Sequence, residues 1–390
     1  MTILQRGLIT ATLVAAIGIG IYEARQASRL RQENRVLQQR QTLLAEQVQQ
    51  LQQERDEAMK RLAASPAKPS PRLPAPPMQN TAQPATPLED LRATNLVSRI
   101  KDGARLTAKQ VEPYLKAHRR DAASLLAAYR TTQDAALLAE AMQKYPHDPQ
   151  VAFSAALNKD ASPEAQRQWL EVLKQSAPEN ALANYLSAFN YFKAGQTDQA
   201  VQELMAAYGK PQVQDYFMDR LSDDEEAYLS AGYSVAEAKA LGLEWSELVP
   251  NRGDLKRLAG EMVDLAKSYR QAGDETSAQA TLQMAANLGR RNQNEAPGQI
   301  TIDKFLGFKF ESMALFEMDP NSPYGDNGQT VRDRLDQIAQ QKAALKELVS
   351  QAEPFRQTMA DQDWIVFTDR LKTFGEETAL RWVLSKYGPK

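Results

Sequence analysis

Catalysis and ligation need side chains that ionise, attack or coordinate at workable spacing, and this sequence supplies few of them. Cysteine is absent and histidine occurs only at His118 and His147. That removes thiol nucleophiles, disulfides and thiolate zinc sites, and leaves imidazole chemistry almost no material. His118 stands beside Arg119 and Arg120, and His147 sits in the turn Tyr145-Pro146-His147-Asp148-Pro149. Neither has a second ligand nearby in sequence, so both are expected in solvent. Carboxylates are more numerous. Asp223, Asp224, Glu225 and Glu226 follow Ser222, and Ser222 to Glu225 has capping-box spacing. The run is therefore expected at a helix start, where the macrodipole favours negative charge. Asp319-Pro320-Asn321-Ser322-Pro323-Tyr324-Gly325 puts proline where a calcium loop needs an oxygen ligand, and reads as a turn. Asp361 and Asp363 beside Trp364 are the pair an acid-base hydrolase would use. No phosphate loop, nucleophile elbow, zinc-protease helix or EF-hand pattern occurs in the sequence. The expectation is a non-enzymatic protein with no cofactor and no metal, with an envelope hydrolase as one alternative.

The elements that carry these residues divide the chain. Its 390 residues suit two to three domains, and 47 basic against 49 acidic residues leave no overall field to attract nucleic acid. Gly7 to Tyr22 carry no charge, which gives a transmembrane anchor over residues 1–22, just under the roughly 17 to 25 residues of a comfortable span. A cleaved secretory signal has a similar look, but no pair of small residues at cleavage spacing follows Tyr22, so the anchor is expected to stay. Arg25, Arg29, Arg31, Arg35 and Arg40 follow the span and favour a cytoplasmic C-terminal region. The very short N-terminal tail favours export. The expected location is the bacterial inner membrane, single-pass, with the C-terminal region periplasmic and the cytoplasmic side left open.

Leu30, Leu37, Leu44 and Leu51 recur every seventh residue, and Ala58 continues the series, without proline or glycine from Glu23 to Ala64. Residues 23–64 thus read as a coiled coil. Asn34 falls at an a position, which favours a parallel homodimer through residues 27–62, a rod of about 60 Å at 1.5 Å per residue. Residues 65–90 hold prolines 66, 69, 71, 74, 76, 77, 84 and 87 and read as a semi-rigid linker.

Beyond Leu88 apolar residues recur at spacings of three and four, the pattern of helices. Thr107 to Gln110 and Ser234 to Glu237 are further capping boxes. One segment carries Ala188, Tyr191, Gly195, Ala200, Leu204 and Ala207; a second carries Ala266, Tyr269, Gly273, Ala278, Leu282 and Ala285, all displaced by one interval. Small residues let paired helices approach, glycine turns the chain, and tyrosine and leucine fill the gap between. This series resembles the tetratricopeptide repeat. Two degenerate copies are expected around Leu125 to Tyr145 and Val151 to Ser176, with Asp215 to Val249 as an inserted or divergent helix pair. The resemblance implies an all-α, TPR-like solenoid over residues 91–291. Residues 292–390 form a helical cap, with a long helix from Thr330 to about Ala352 and a terminal helix carrying Trp364, Phe367, Leu371 and Phe374.

The resemblance also implies a concave face lined by the first helix of each pair. The matching positions are Tyr185, Phe189, Phe192 and Lys193, then Lys267 and Arg270, aromatic and basic side chains suited to clamping a peptide carboxylate. The function implied is a membrane-anchored scaffold whose solenoid binds a protein or peptide partner. A second reading is a regulator, because GIGIYEARQASRLRQENRVLQQ is similar to the membrane-attached extensions of some extracytoplasmic-function sigma factors, though the sigma domains themselves are missing.

Overall fold

Short polar residues recur where the apolar periodicity restarts, and their side chains close the helix N-termini. The structure, a computed structural model, describes residues 96, 100, 105–243, 251–293, 298–325 and 328–389. The expected anchor (1–22), coiled coil (23–64) and linker (65–90) lie outside the described residues. Those described belong to one unit, Pro84–Lys390.

Thr107 caps α1 (Ala108–Ala117) in the expected box with Gln110, Asp121 caps α2 (Ala122–Thr132), and Asp134 caps α3 (Ala135–Lys144). Asp148 and Ser162 cap α4 (Pro149–Ala156) and α5 (Pro163–Ser176), each with proline in the first turn, where its missing N–H costs nothing. Then come α6 (Leu182–Lys193), α7 (Thr197–Tyr208), α8 (Phe217–Ser230) and α9 (Val235–Gly242), the last opened by the expected box of Ser234 and Glu237. They are followed by α10 (Arg252–Gln271), α11 (Glu275–Arg291) and α12 (Thr301–Leu315). The last three are α13 (Val331–Arg356), α14 (Asp361–Phe374) and α15 (Glu376–Tyr387). Two isolated bridges, Asn180 with Gln212 and Pro323 with Thr330, are the extended pairings recorded among the described residues, so the described chain is all-α. None of its described helices is long and apolar enough to cross a membrane.

The two sequence copies are α6–α7 and α10–α11, and they repeat down to the backbone. Gly195 and Gly273 turn at φ 70° and 81°, in the left-handed region that glycine enters without strain. In each copy the N–H after the glycine returns to the tyrosine carbonyl, Gln196 to Tyr191 and Asp274 to Tyr269, both at 2.9 Å. Ala188, Ala200, Leu204 and Ala207, and their counterparts Ala266, Ala278, Leu282 and Ala285, are all buried. Each fully buried leucine contributes about 1.5–3 kcal/mol.

Helices α1 to α7 pack largely on their sequence neighbours, and α10 then packs directly on α6, and α11 on α7. The second copy therefore stacks on the first although α8 and α9 lie between them in the chain. Helix α12 lies on α11, α13 on α12, and α15 on both α13 and α14. Helices α11 and α12 approach each other closely. There a Cβ on Gly289 would meet the Glu311 nitrogen at 2.4 Å, and one on Gly307 the Gly289 oxygen at 2.6 Å. The inserted pair turns outward, α8 against α1 and α2, and α9 against α14. It thereby joins the first helices to the C-terminal ones.

Three expectations are corrected here. Ser222 does not cap a helix. Helix α8 starts at Phe217, so the acidic run lies mid-helix, where consecutive residues project about 100° apart and meet different neighbours. Arg130 of α2 pairs with Asp224 at 2.7 Å, and Glu225 pairs with Lys239 of α9 at 3.0 Å and with Lys372 of α14. Lys239 also reaches Asp369 of α14 at 2.6 Å. His118 is not isolated in solvent, because its Nε2 stands 3.2 Å from Glu226, the last residue of the same run. The terminal segment is two helices, broken where Gly375 adopts φ 83°. Phe374, at that break, is 59% exposed, while Trp364, Phe367 and Leu371 are buried.

Candidate functional site

The aromatic and basic positions expected to line one face are sorted by packing. On α6, Tyr185 and Phe189 are 2% and 3% exposed and belong to the main core, where burial pushes the Tyr185 hydroxyl up. Phe192 is half-buried against that core. Lys193 is exposed, with its Nζ 5.3 Å from the centre of the Phe189 ring. Across from it Arg257, in the second turn of α10, places its guanidinium carbon 5.1 Å from the same ring. Two cations thus approach one aromatic ring, whose negative quadrupole attracts both.

That pair stands at the side of an open groove of about 480 Å³. Leu157, Lys159 and Gln166 line it from α5 and the α4–α5 turn, Leu186 and Asn190 from α6, and Gly253 and Asp254 from α10. Arg257 donates to Asp254 at 2.6 Å, with its side chain 66% exposed. Lys159 and Lys193 add two exposed ammonium groups, so three cations face one carboxylate. An anionic group entering the groove meets guanidinium and ammonium donors at the rim, amides from Gln166 and Asn190, and the apolar Leu157, Leu186 and Leu170 at the floor.

Lys267 and Arg270 are elsewhere. They lie roughly ten residues past Arg257, about 15 Å further along α10. There Lys267 meets Glu317 at 3.1 Å, and Arg270 meets Glu317 at 3.9 Å and Glu275 at 3.1 Å. Arg270 holds the Glu275 carboxyl below its ordinary value. The structure therefore does not gather the six expected positions into one groove: Lys193 opens on it, Phe189 floors its cation pair, and Lys267 and Arg270 are met by the chain's own carboxylates. Lys159 and Arg257 carry no signal in the sequence that sets them apart from other surface cations. Arg257 sits in an ordinary helical stretch, Leu255-Lys256-Arg257-Leu258, and gains its place only because α10 packs on α6.

The Asp361 and Asp363 pair lies in the first turn of α14. Burial raises the Asp363 carboxyl, but hydrogen bonds from Lys386 Nζ and the Tyr387 hydroxyl outweigh it and hold the group below its ordinary value. The residue thus ties α14 to α15. Asp319 Oδ1 accepts from the Asn321 N–H at 3.0 Å and its carbonyl accepts from the Ser322 hydroxyl at 2.7 Å, the hydrogen bonds of a turn. Among the described residues no group of three or more histidine, cysteine or acidic side chains is placed to hold a metal. Compared with known proteins, the chain matches no family model, no curated protein and no solved structure.

Proposed function

We propose that the protein is a non-enzymatic, membrane-anchored scaffold whose helical repeats, of the tetratricopeptide type, bind an acidic segment of a protein partner. The observation that carries this reading is the groove between α5, α6 and α10, lined by Lys159, Lys193 and Arg257, the last two over the Phe189 ring. A carboxylate about 4 Å from such a cation gains roughly 1 to 4 kcal/mol, depending on how far water is excluded. Part of that is lost to screening, so binding weakens with salt. The shared backbone pattern of α6–α7 and α10–α11 supports the repeat assignment. In this reading the anchor over residues 1–22 sits in the bacterial inner membrane, the stalk over residues 27–62 pairs two chains, and the linker presents the repeats to the periplasm.

A photo-crosslinking residue at Gln166, in the native host, tests the groove. Wild type is expected to crosslink to an acidic segment of another protein, and the double variant Lys193→Glu with Arg257→Glu to lose that product while keeping its helical circular dichroism. An identical crosslink pattern in the two, or a crosslinked segment that is not acidic, refutes the assignment.

A further inference from the structure

A second cleft opens on the opposite side of α10. Gly253, Asp254 and Arg257 face the basic groove, whereas Asn251, Arg252 and Leu255 lie about half a turn round the helix and line a cleft of about 450 Å³. It forms where the inserted pair leaves and rejoins the repeats: Pro211 to Tyr216 lead out of α7 and Asn251 leads into α10. A simple stack of helix pairs has no such junction. The volume lies within the range of small-ligand sites.

Most polar groups in the cleft wall are already used. Asp303 takes a bidentate pair from Arg252, Nε at 2.6 Å and Nη2 at 2.8 Å. Arg291 donates to the carbonyls of Ala207, Tyr208 and Lys210 at 3.3, 3.0 and 2.6 Å. Asp215 accepts from the Phe217 N–H at 3.0 Å. Four polar atoms of lining residues have no hydrogen-bond partner among the described residues and are shut off from bulk water: Arg252 Nη1, Asn251 Oδ1, Gln299 Oε1 and the Tyr216 hydroxyl. Asn251 and Arg252 are 4% and 9% exposed. The Gln299 amide is oriented by its Nε2, which donates to the Asn292 carbonyl at 3.0 Å and leaves the oxygen over. The great majority of buried polar groups in proteins are paired, so four orphans around one cleft mark it as a place to be filled.

We infer that this cleft binds an uncharged, amide-bearing ligand with an apolar side chain. The unpaired set is one donor, two acceptors and a phenol hydroxyl that can serve as either; an amide matches it with its carbonyl oxygen on Arg252 Nη1 and N–H groups on Asn251 Oδ1 and Gln299 Oε1, and the Tyr216 hydroxyl rotates to suit. Small rotations of these side chains, common on binding, bring them to the ligand. Charge argues against an anion, because the lining carries Asp215, Asp219 and Asp303 against Arg252 and Arg291, and Asp303 already neutralises Arg252. A cation would leave the guanidinium donor unmatched. Tyr216, Phe217, Leu255 and Leu306 form the apolar wall for the side chain.

Saturation-transfer NMR on the full chain tests this with four probes: N-acetyl-leucinamide, its carboxylate analogue N-acetyl-leucine, its amine analogue leucinamide, and a capped Ala-Leu-Ala tripeptide amide. The neutral probes are expected to bind and the two charged analogues to bind at least tenfold more weakly. Tighter binding of the tripeptide assigns the cleft to a peptide strand, and equal binding to a free amide. Asn251→Ala and Gln299→Leu are each expected to weaken the neutral probe about fivefold, the effect of one lost hydrogen bond. Asn251 makes no capping bond at the start of α10, so the first variant leaves the helix start intact. Lys193→Glu, on the other groove, leaves the neutral probe unaffected, which separates this site from the scaffold reading. No binding of the neutral probes, tighter binding of either charged analogue, or unchanged binding in both cleft variants overturns the inference.

Discussion

Removing the charge partner of Glu311 should be among the most damaging single changes in the C-terminal half. Glu311 on α12 is fully buried, and four donors fill its carboxylate: Arg334 Nε at 2.8 Å and Nη2 at 2.7 Å, the Tyr324 hydroxyl at 3.0 Å and Gln293 Nε2 at 2.6 Å. These donors come from α13, from the loop before it and from the end of α11, so one carboxylate ties four segments. Burial of the Tyr324 hydroxyl pushes its ionisation up and Glu311 adds to this, keeping it a donor. Arg334→Met leaves the carboxylate buried without a counter-charge, a loss of about 3–5 kcal/mol. At about 2 °C per kcal/mol for a unit of this size, the thermal midpoint followed by circular dichroism should fall by about 6–10 °C. Glu311→Met leaves the guanidinium behind and should cost a similar amount. The double variant should be less damaged than either single one, because no orphan charge is left in the core. Additive losses in the double variant, or a loss under about 1 kcal/mol for Arg334→Met, would refute the claim that this pair is desolvated and coupled.

Two further outcomes follow from the packing. Gly289→Ala should cost about 3 kcal/mol in urea unfolding, because its Cβ would strike the backbone of Glu311 and Gly307, which cannot swing aside. Gly253→Ala has nothing within 4 Å and should be neutral or slightly stabilising, so equal effects at the two sites would sink the close-approach argument. Asp223, half-buried on α8, has its carboxyl pushed up to about 6 from 3.8 by burial, opposed by Arg130 and reinforced by Asp224, Asp219 and Glu226. The folded state therefore holds a proton that the unfolded state releases, and stability contributed by the protonated form falls as pH rises from about 4 to about 6, then levels. Asp223→Asn should recover about 1–2 kcal/mol near neutral pH, discounted for its partial exposure, and nothing below pH 4. A gain that is the same at both ends of that range would show that the effect is not ionisation.

The helical class, most helix starts and the two good repeat copies were legible in the order of residues alone. These are local properties: a cap such as Thr107 with Gln110, a left-handed glycine such as Gly195, and an apolar face recurring every three or four residues all act within one turn of chain. The sequence placed Tyr185 and Phe189 on a face expected to bind a partner, whereas packing buries both in the core. Which faces meet emerges from the packed fold. Nothing in the spacing of Ser222 to Glu226 says that α8 begins at Phe217, or that its four acidic residues divide among α1, α2, α9 and α14. Nor does it say that α10 skips the inserted pair to lie on α6, the contact that sets Arg257 over Phe189 and leaves Asn251, Arg252 and Gln299 around one cleft. The reason is physical: periodicity and capping are fixed within a few residues, whereas helix partners are chosen by the total apolar surface that distant segments bury together.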